Sequence, residues 1–306
     1  MAGSSKKVIY AALVGNGLIA VTKFIASALT GSSAMMSEGI HSLVDTGNQM
    51  LLLLGLKRSK LPPDQHYPFG HGKEVYFWSF VVAILIFAVG AGISIYEGIH
   101  SVMDPHPVEN PYVNYIVLGL AMIFEGAAWY FAWKAFHRAK GERGYLETVR
   151  KEKDPTTFVV LFEDSAAMLG LMVAFVGIGL GHLTGNFLFD GIASILIGVI
   201  LGVTAIWLAY ETKSLLIGES ANMELVAGIR QLAESKDEIK HVNETLTMHM
   251  GPEFILVNIS VDFKDQIEAF RIEKSIARLT KEIKSEYPRV KRVFIEAESH
   301  FKNENP

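Results

Sequence analysis

The feature that most constrains this chain is a series of apolar windows, each near or above the ~18–20 residues that a helix needs to cross a bilayer. The windows lie at residues 8–30, 34–56, 75–99, 113–136, 158–181 and 188–210. No small-residue cleavage site ends the first of them convincingly, so we expect it to be a span and not a removed signal peptide. The windows predict an all-α, six-helix transmembrane domain over residues 1–217.

The basic residues are divided unequally between the two faces of this predicted domain. Lys and Arg flank one face, from Lys6 to Lys213, whereas the connections at 31–33, 100–111 and 182–187 contain neither. Connections rich in Lys and Arg remain on the cytoplasmic side. Six crossings return the chain to the side where it started, so both termini are predicted to be cytoplasmic.

Beyond residue 217 the hydropathy period changes. The alternation predicts strands at 241–250, 254–263 and 290–298, and the helical spacing predicts helices at 223–234 and 266–286. This order is typical of a small cytoplasmic α+β domain, residues 218–306, with an antiparallel sheet. Such a domain buries only a modest core by itself, so we expect it to pair with a second copy in a homodimer.

Composition excludes several classes of site. The chain has no cysteine, which removes disulfides and thiolate metal ligands from consideration. Its net charge of −4 does not suggest a nucleic-acid partner. Any metal must therefore be bound by His, Asp, Glu, Asn or water.

Two ionisable residues, His41 and Asp45, lie four positions apart inside the second apolar window. A helix places such residues on one face, where an imidazole and a carboxylate are suitable donors for a divalent metal. A charge at the bilayer centre costs roughly 2.5–3.5 kcal/mol on insertion scales, which indicates a functional role. Asp164 lies at a matching depth in the fifth window. We therefore predict a transport site formed by His41, Asp45 and Asp164.

The fourth donor of this site stays open on sequence grounds. The candidates are Glu163, Glu125, Asn48 and a water molecule. Lys23, in the first window, is expected to extend its ammonium toward the membrane interface, and pairing with one of the carboxylates is the alternative.

Four motifs occur in order along the chain: SEGIHSLVDT at 37–46, YPFGHGKE at 67–74, LFEDSAA at 161–167 and FDGIAS at 189–194. Together they resemble the cation diffusion facilitators, and they are most similar to the branch that contains the ninth mammalian zinc transporter. The resemblance implies a homodimeric metal/proton antiporter, with a six-helix domain in membrane lipid and a ferredoxin-like cytoplasmic domain similar to a metallochaperone. We expect the chain to lie in a bacterial cytoplasmic membrane, and the resemblance implies a mitochondrial membrane as the alternative.

The resemblance also implies metal positions outside the membrane. In the connection after the second window the candidates are Asp64, His66 and His71, with a structured turn around a hydrogen-bonded His71 as the alternative. In the tail the family's metal positions fall near Asn258, Glu296 and Glu298, where its usual histidines are missing, although His249 and His300 are nearby. For these residues we expect a purely structural role, with a metal site as the alternative.

Val160 stands where the family usually has a second histidine, so Mn²⁺, Fe²⁺ and Co²⁺ remain open beside Zn²⁺. We expect a secondary active transporter that exports a divalent cation, most simply Zn²⁺, from the cytoplasm in exchange for protons. No organic cofactor is expected. The chain is not expected to be an enzyme, because it has no His-Glu-x-x-His pair and no evident nucleophile beside the carboxylates. A metal sensor that does not transport is the alternative.

Overall fold

The computed structural model describes residues 2–140 and 155–299, which begin with six long helices. These are α1 (Ala2–Thr30), α2 (Ser33–Arg58), α3 (Glu74–Met103), α4 (Pro111–Lys140), α5 (Pro155–Thr184) and α6 (Leu188–Ile217). Within the described residues, α3 to α6 are long and apolar enough to cross a membrane. At 1.5 Å per residue, α1 and α2, with 29 and 26 residues, also reach across a hydrocarbon core of roughly 30 Å.

A small α+β region follows the long helices. Its elements are α7 (Met223–Glu234), β1 (Ile239–Gly251), β2 (Phe254–Phe263), α8 (Ala269–Glu286) and β3 (Val290–Ala297). The strand order is β1-β2-β3, with β1 antiparallel and β3 parallel to β2. The predicted all-antiparallel sheet is therefore wrong. Because α8 connects β2 to β3, the chain returns to the end of the sheet where β2 began, and β3 runs in the same direction as β2.

Residue contacts divide the chain into two compact units. The first consists of Met1–Lys57 and Val75–Lys213, and the second of Arg58–Glu74 and Ser214–Pro306. The connection between α2 and α3 thus belongs with the sheet and not with the long helices. Here Gly72 lies so close to the β1–β2 turn that a Cβ would meet the carbonyl oxygen of Met250. The predicted division at residue 217 remains a prediction.

Each unit has its own apolar core. In the first unit the core includes the fully buried side chains of Met35, Leu118, Leu171, Ile197 and Leu208. In the second unit, β2 contributes Ile255, Val257, Ile259 and Val261, which pack with residues of α7 and α8 such as Ile229 and Leu279. Burying one such side chain fully contributes about 1.5–3 kcal/mol. These two cores hold the helices and strands that carry the polar residues described below.

The first turn of α2 is held by a carboxylate of α6. Asp190 Oδ2 accepts hydrogen bonds from the Ser33 backbone N–H at 2.6 Å and from Ser33 Oγ at 3.0 Å. Asp190 Oδ1 accepts one from Ser32 Oγ at 2.6 Å. An anionic group at a helix N-terminus satisfies free N–H groups and complements the helix dipole. Asp190 therefore anchors the helix that carries His41 and Asp45.

Glycines allow α3 and α6 to approach backbone to backbone. A Cβ at Gly98 would lie 2.6 Å from the Ile195 backbone nitrogen and 2.8 Å from the Gly191 carbonyl oxygen. A Cβ at Gly198 would lie 2.9 Å from the Ile95 nitrogen. Small residues at helix contacts are the usual means of close packing in membranes. The α3 helix is itself interrupted by a π-helical segment, Ile86–Ala91, ahead of this contact.

We predict that Gly98→Ala destabilises the protein, because backbone atoms cannot move away from the new methyl group as a flexible side chain would. The expected loss is about 1–3 kcal/mol of unfolding free energy, as for other overpacked interiors. Thermal unfolding of the detergent-solubilised protein measures it. The matched control is Gly119→Ala in α4, where nothing lies within 4 Å of an added Cβ. Equal melting temperatures for the two variants would contradict the close contact.

Candidate metal centre

A cavity of about 270 Å³ lies among α1, α2, α4 and α5. Its polar lining consists of Asn16, Ser42, Asp45, Gln49, Glu125, Glu163 and Asp164. The remaining lining residues are apolar side chains of the same helices, with Val160 among them. Four carboxyl groups from α2, α4 and α5 thus meet at one place inside the long-helix unit.

Helical spacing explains how the lining residues reach one cavity. Ser42, Asp45 and Gln49 follow one another at intervals of three and four along α2, which places them on a single face. The structure brings Asp45 and Asp164 together as the sequence predicts, and it adds Glu163 and Glu125 to the same cavity. Ser42 and Gln49 were not predicted, although their spacing from Asp45 was a usable signal.

His41 lies next to Asp45, one turn earlier on α2. Its side chain is buried, and its Nδ1 is 3.3 Å from Asp45 Oδ1, without the geometry of a hydrogen bond. Among the described residues, neither ring nitrogen of His41 nor Oδ1 of Asp45 has a hydrogen-bond partner. Buried polar atoms are nearly always paired, so these atoms point to a cation or water between or beside them.

A hydrogen bond joins Asn48 and Glu163, two of the candidates for the fourth donor. Asn48 Nδ2 donates to Glu163 Oε1 at 2.6 Å, and both side chains are buried. The amide therefore fixes the orientation of the Glu163 carboxyl group. Asn48 Oδ1 has no partner within the described part of the chain.

The cavity residues do not yet form a closed coordination shell. Across residues 2–140 and 155–299, no three His, Asp or Glu side chains are close enough together to hold one ion. Binding an ion would therefore require side-chain rotation in the cavity. What the arrangement does supply is a concentration of carboxyl groups, which attracts cations strongly where the dielectric is low.

The structure corrects the prediction for Lys23. Its side chain is fully buried and does not extend to the membrane interface. Its Nζ lies 3.0 Å from Glu38 Oε2, 3.0 Å from Glu125 Oε1 and 2.8 Å from Ser42 Oγ. Because two carboxylates and a hydroxyl lie within hydrogen-bonding distance, pairing inside the protein is more favourable for the ammonium than extension to the membrane interface. Asn16 lies seven residues before Lys23 and therefore on the same face of α1. A second polar residue on this face indicates that the face is directed into the protein.

The candidate loop residues form a structured turn. Asp64 Oδ1 accepts hydrogen bonds from the backbone N–H groups of His66 at 2.8 Å and Tyr67 at 2.7 Å, and Oδ2 lies 3.0 Å from His71 Nε2. The Tyr67 and His71 rings are 4.5 Å apart. The backbone N–H of Tyr67 and the ring of His71 lower the pKa of the Asp64 carboxyl group. Of the two interpretations from sequence, the structure contains the turn with a hydrogen-bonded His71.

The candidate tail residues lie at two ends of the sheet. His249 of β1 pairs with Ile255 at the start of β2, whereas Glu296 of β3 pairs with Ser260, five residues further along. At about 3.3 Å per residue, these positions are roughly 16 Å apart along the strand. The Glu298 carboxylate accepts a hydrogen bond from Ser260 Oγ at 2.7 Å. The fourth candidate, His300, lies outside the described residues.

We predict that Asp64→Ala opens the turn, because it removes the acceptor of two backbone N–H groups and the partner of His71. Trypsin cleavage after Lys60, which is exposed, should then accelerate roughly tenfold at neutral pH. The exposed Asp104→Ala is the control. The turn's contribution to stability is present above the ordinary carboxyl pKa and is lost only as pH falls through the lowered pKa of Asp64. A parental loop cleaved as fast as the variant would contradict this.

Comparison with known proteins agrees with the architecture. Residues 9–217 match the model of the cation efflux transmembrane domain. The mitochondrial proton-coupled zinc antiporter SLC30A9 of Mus musculus is 35% identical over 263 residues, which are 85% of this chain and 46% of that protein. The chain thus spans about half the length of this curated relative.

Two further relatives extend the comparison. Metal tolerance protein C4 of Arabidopsis thaliana is 29% identical over 86% of this chain and 58% of its own length. The manganese efflux system protein MneP of Bacillus subtilis is 26% identical over 97% of both chains. The helical membrane domain followed by a small α+β domain is confirmed, as is the predicted family. The chain belongs to the cation efflux family.

Proposed function

We propose that this chain is a secondary active transporter that moves a divalent metal cation out of the cytoplasm in exchange for protons. One observation carries the proposal: Asp45, Glu125, Glu163 and Asp164, from three helices, line one cavity inside the long-helix unit. The names of the relatives, which include a proton-coupled zinc antiporter and a manganese efflux protein, support it. His41, beside Asp45, supplies the nitrogen donor of the proposed site.

The donor chemistry explains why metal and protons would exchange. Carboxylates and imidazole bind a metal only after releasing their protons, so a cation that enters the cavity displaces protons, and protons that return displace the cation. In a low dielectric, uncompensated carboxylates are costly. Binding of either a cation or protons in the cavity is therefore favourable. Alternation between two openings of the cavity then converts a proton gradient into metal export.

Zinc is the proposed cargo, and manganese is the second candidate. The adjacent imidazole and carboxylate of His41 and Asp45 suit Zn²⁺. The predominance of oxygen donors on the cavity wall suits Mn²⁺, the metal in the name of the Bacillus relative. Fe²⁺ and Co²⁺ would use the same donors.

We further propose a homodimer with cytoplasmic termini. Large apolar side chains of the second unit, Leu246, Phe270 and Phe294, are at least half exposed, which supports pairing with another copy. The absence of Lys and Arg from the sequence at 100–111 and 182–187 supports the orientation. A bacterial cytoplasmic membrane is the proposed location, with a mitochondrial membrane as the alternative. Light scattering of the solubilised protein should give twice the chain mass of 33.7 kDa.

We predict that Asp45→Asn and Asp164→Asn each reduce metal uptake by at least about tenfold in proteoliposomes with an imposed proton gradient, because each removes a charge and an exchangeable proton while preserving shape. Asp104→Asn, which changes an exposed carboxylate at the end of α3, should retain the parental rate. If both cavity variants transported metal at the parental rate, the proposal would be wrong. Metal binding without any flux would instead identify a sensor.

The same assay decides between the metals. Uptake of Zn²⁺ measured against increasing concentrations of Mn²⁺, Fe²⁺ and Co²⁺ should show that Zn²⁺ is preferred. Proton flux measured in the same vesicles should run in the direction opposite to metal uptake. Preferential uptake of Mn²⁺ would assign manganese as the cargo. Flux that neither saturates nor depends on pH would indicate a pore and would contradict a carrier.

A further inference from the structure

The ammonium of Lys23 is fully engaged inside the membrane domain. An ammonium has three N–H donors, and Lys23 Nζ has three acceptors at 3.0 Å or less, on Glu38, Glu125 and Ser42. These acceptors come from α2 and α4, so the lysine of α1 connects three helices. A single positive charge is thereby shared by two carboxylates.

The two glutamates around Lys23 differ in their surroundings. Glu38 is fully buried, and its Oε1 would lie only 2.5 Å from a Cβ built on Gly170. Glu125 lines the cavity, and 17% of its side chain is exposed. Lys23 therefore links a glutamate enclosed by protein to a glutamate on the cavity wall.

Each glutamate has one oxygen bonded to Lys23 and a second oxygen without a partner. Glu38 Oε1 and Glu125 Oε2 are buried, and neither has a hydrogen-bond partner among residues 2–140 and 155–299. A buried carboxylate oxygen without a partner is costly unless a cation or water reaches it. Of the two, Glu125 is the one beside the cavity that would admit a cation.

We propose that Lys23 is a positioning residue that holds Glu125 as a one-oxygen ligand of the transported cation. The ammonium occupies Oε1, so that Oε2 alone is left for the ion. This inference rests on the proposed transport function and assigns the fourth donor to α4. Glu163, by comparison, accepts a hydrogen bond from Asn48 on Oε1, and its carboxyl group is also hydrogen-bonded to the Asp45 side chain.

The test uses Co²⁺ as a probe, because its ligand-field absorption reports the donors around it. In the purified full-length protein, Glu125→Gln should weaken Co²⁺ binding and change the absorption spectrum of the bound ion. Lys23→Met/Glu38→Gln should do the same, with affinity reduced about 10- to 100-fold, as for other residues that orient a metal ligand. This double variant carries the same net charge as the parental trio, so a pure charge effect would leave binding unchanged.

Two comparisons make the test selective. Glu38→Gln alone leaves Lys23 in contact with Glu125, and it should retain the parental spectrum. Adding Glu125→Gln to Lys23→Met/Glu38→Gln should produce no further loss, because residues that act through one another are not additive. If the double variant does not fold, Lys23→Gln/Glu38→Gln keeps a polar group at position 23 and serves instead.

A parental spectrum and affinity in the charge-matched variant would overturn the proposal, as would full additivity with Glu125→Gln. Failure of the underlying function gives a different result. Either the parent protein does not bind Co²⁺, or Asp45→Asn leaves Co²⁺ binding unchanged. That result would overturn both proposals. Intact Asp45-dependent binding together with an unchanged Lys23 variant would overturn only the role of Lys23.

Discussion

The compensation of charge where water is excluded is the constraint on which the long-helix unit depends. Lys23, Glu38 and Glu125 meet this constraint within the protein, since one ammonium lies between two carboxylates. Asp45 and Asp164 lie on the cavity wall and are left for a cation or for protons to neutralise. The cost of an uncompensated charge in low dielectric is large, so one part of the charge network stabilises the fold and the other part creates the demand for an ion.

Much of the architecture follows from local sequence. The apolar windows predict the six long helices, and the amphipathic spacing predicts α7 over its observed range, because both signals are contained in neighbouring residues. The adjacency of His41 and Asp45 is likewise set by a single helical turn. The direction of β3 was not predictable in this way, since alternation is the same in parallel and antiparallel strands. It depends on the crossover made by α8.

The partners of Lys23 mark the limit of prediction for the site. Glu38 and Glu125 are separated from it by 15 and 102 positions, and the three meet only when α1, α2 and α4 pack together. The usual preference of a membrane lysine is to extend its ammonium toward water. This preference fails here because the packed helices provide three hydrogen-bond acceptors. By contrast, the depth of Asp164 in its window predicts that it lies near Asp45, and both residues line the cavity. Its role as a metal ligand stays a prediction. The depth of a residue along its helix can be counted from the sequence, whereas the direction in which its side chain faces depends on how the helix packs against neighbouring helices.

The π-helical segment of α3 has a consequence for how relatives of this chain can vary. A π turn accommodates one more residue than an α turn, and each residue of a helix corresponds to a rotation of about 100°. Ile86–Ala91 precedes Gly98, so the extra residue sets which side of the later half of α3 is directed at α6. Losing one residue from this segment would leave a regular helix of nearly the same length but would turn Gly98 away from Gly191. Single-residue deletions here are therefore disfavoured even though hydropathy would hardly change.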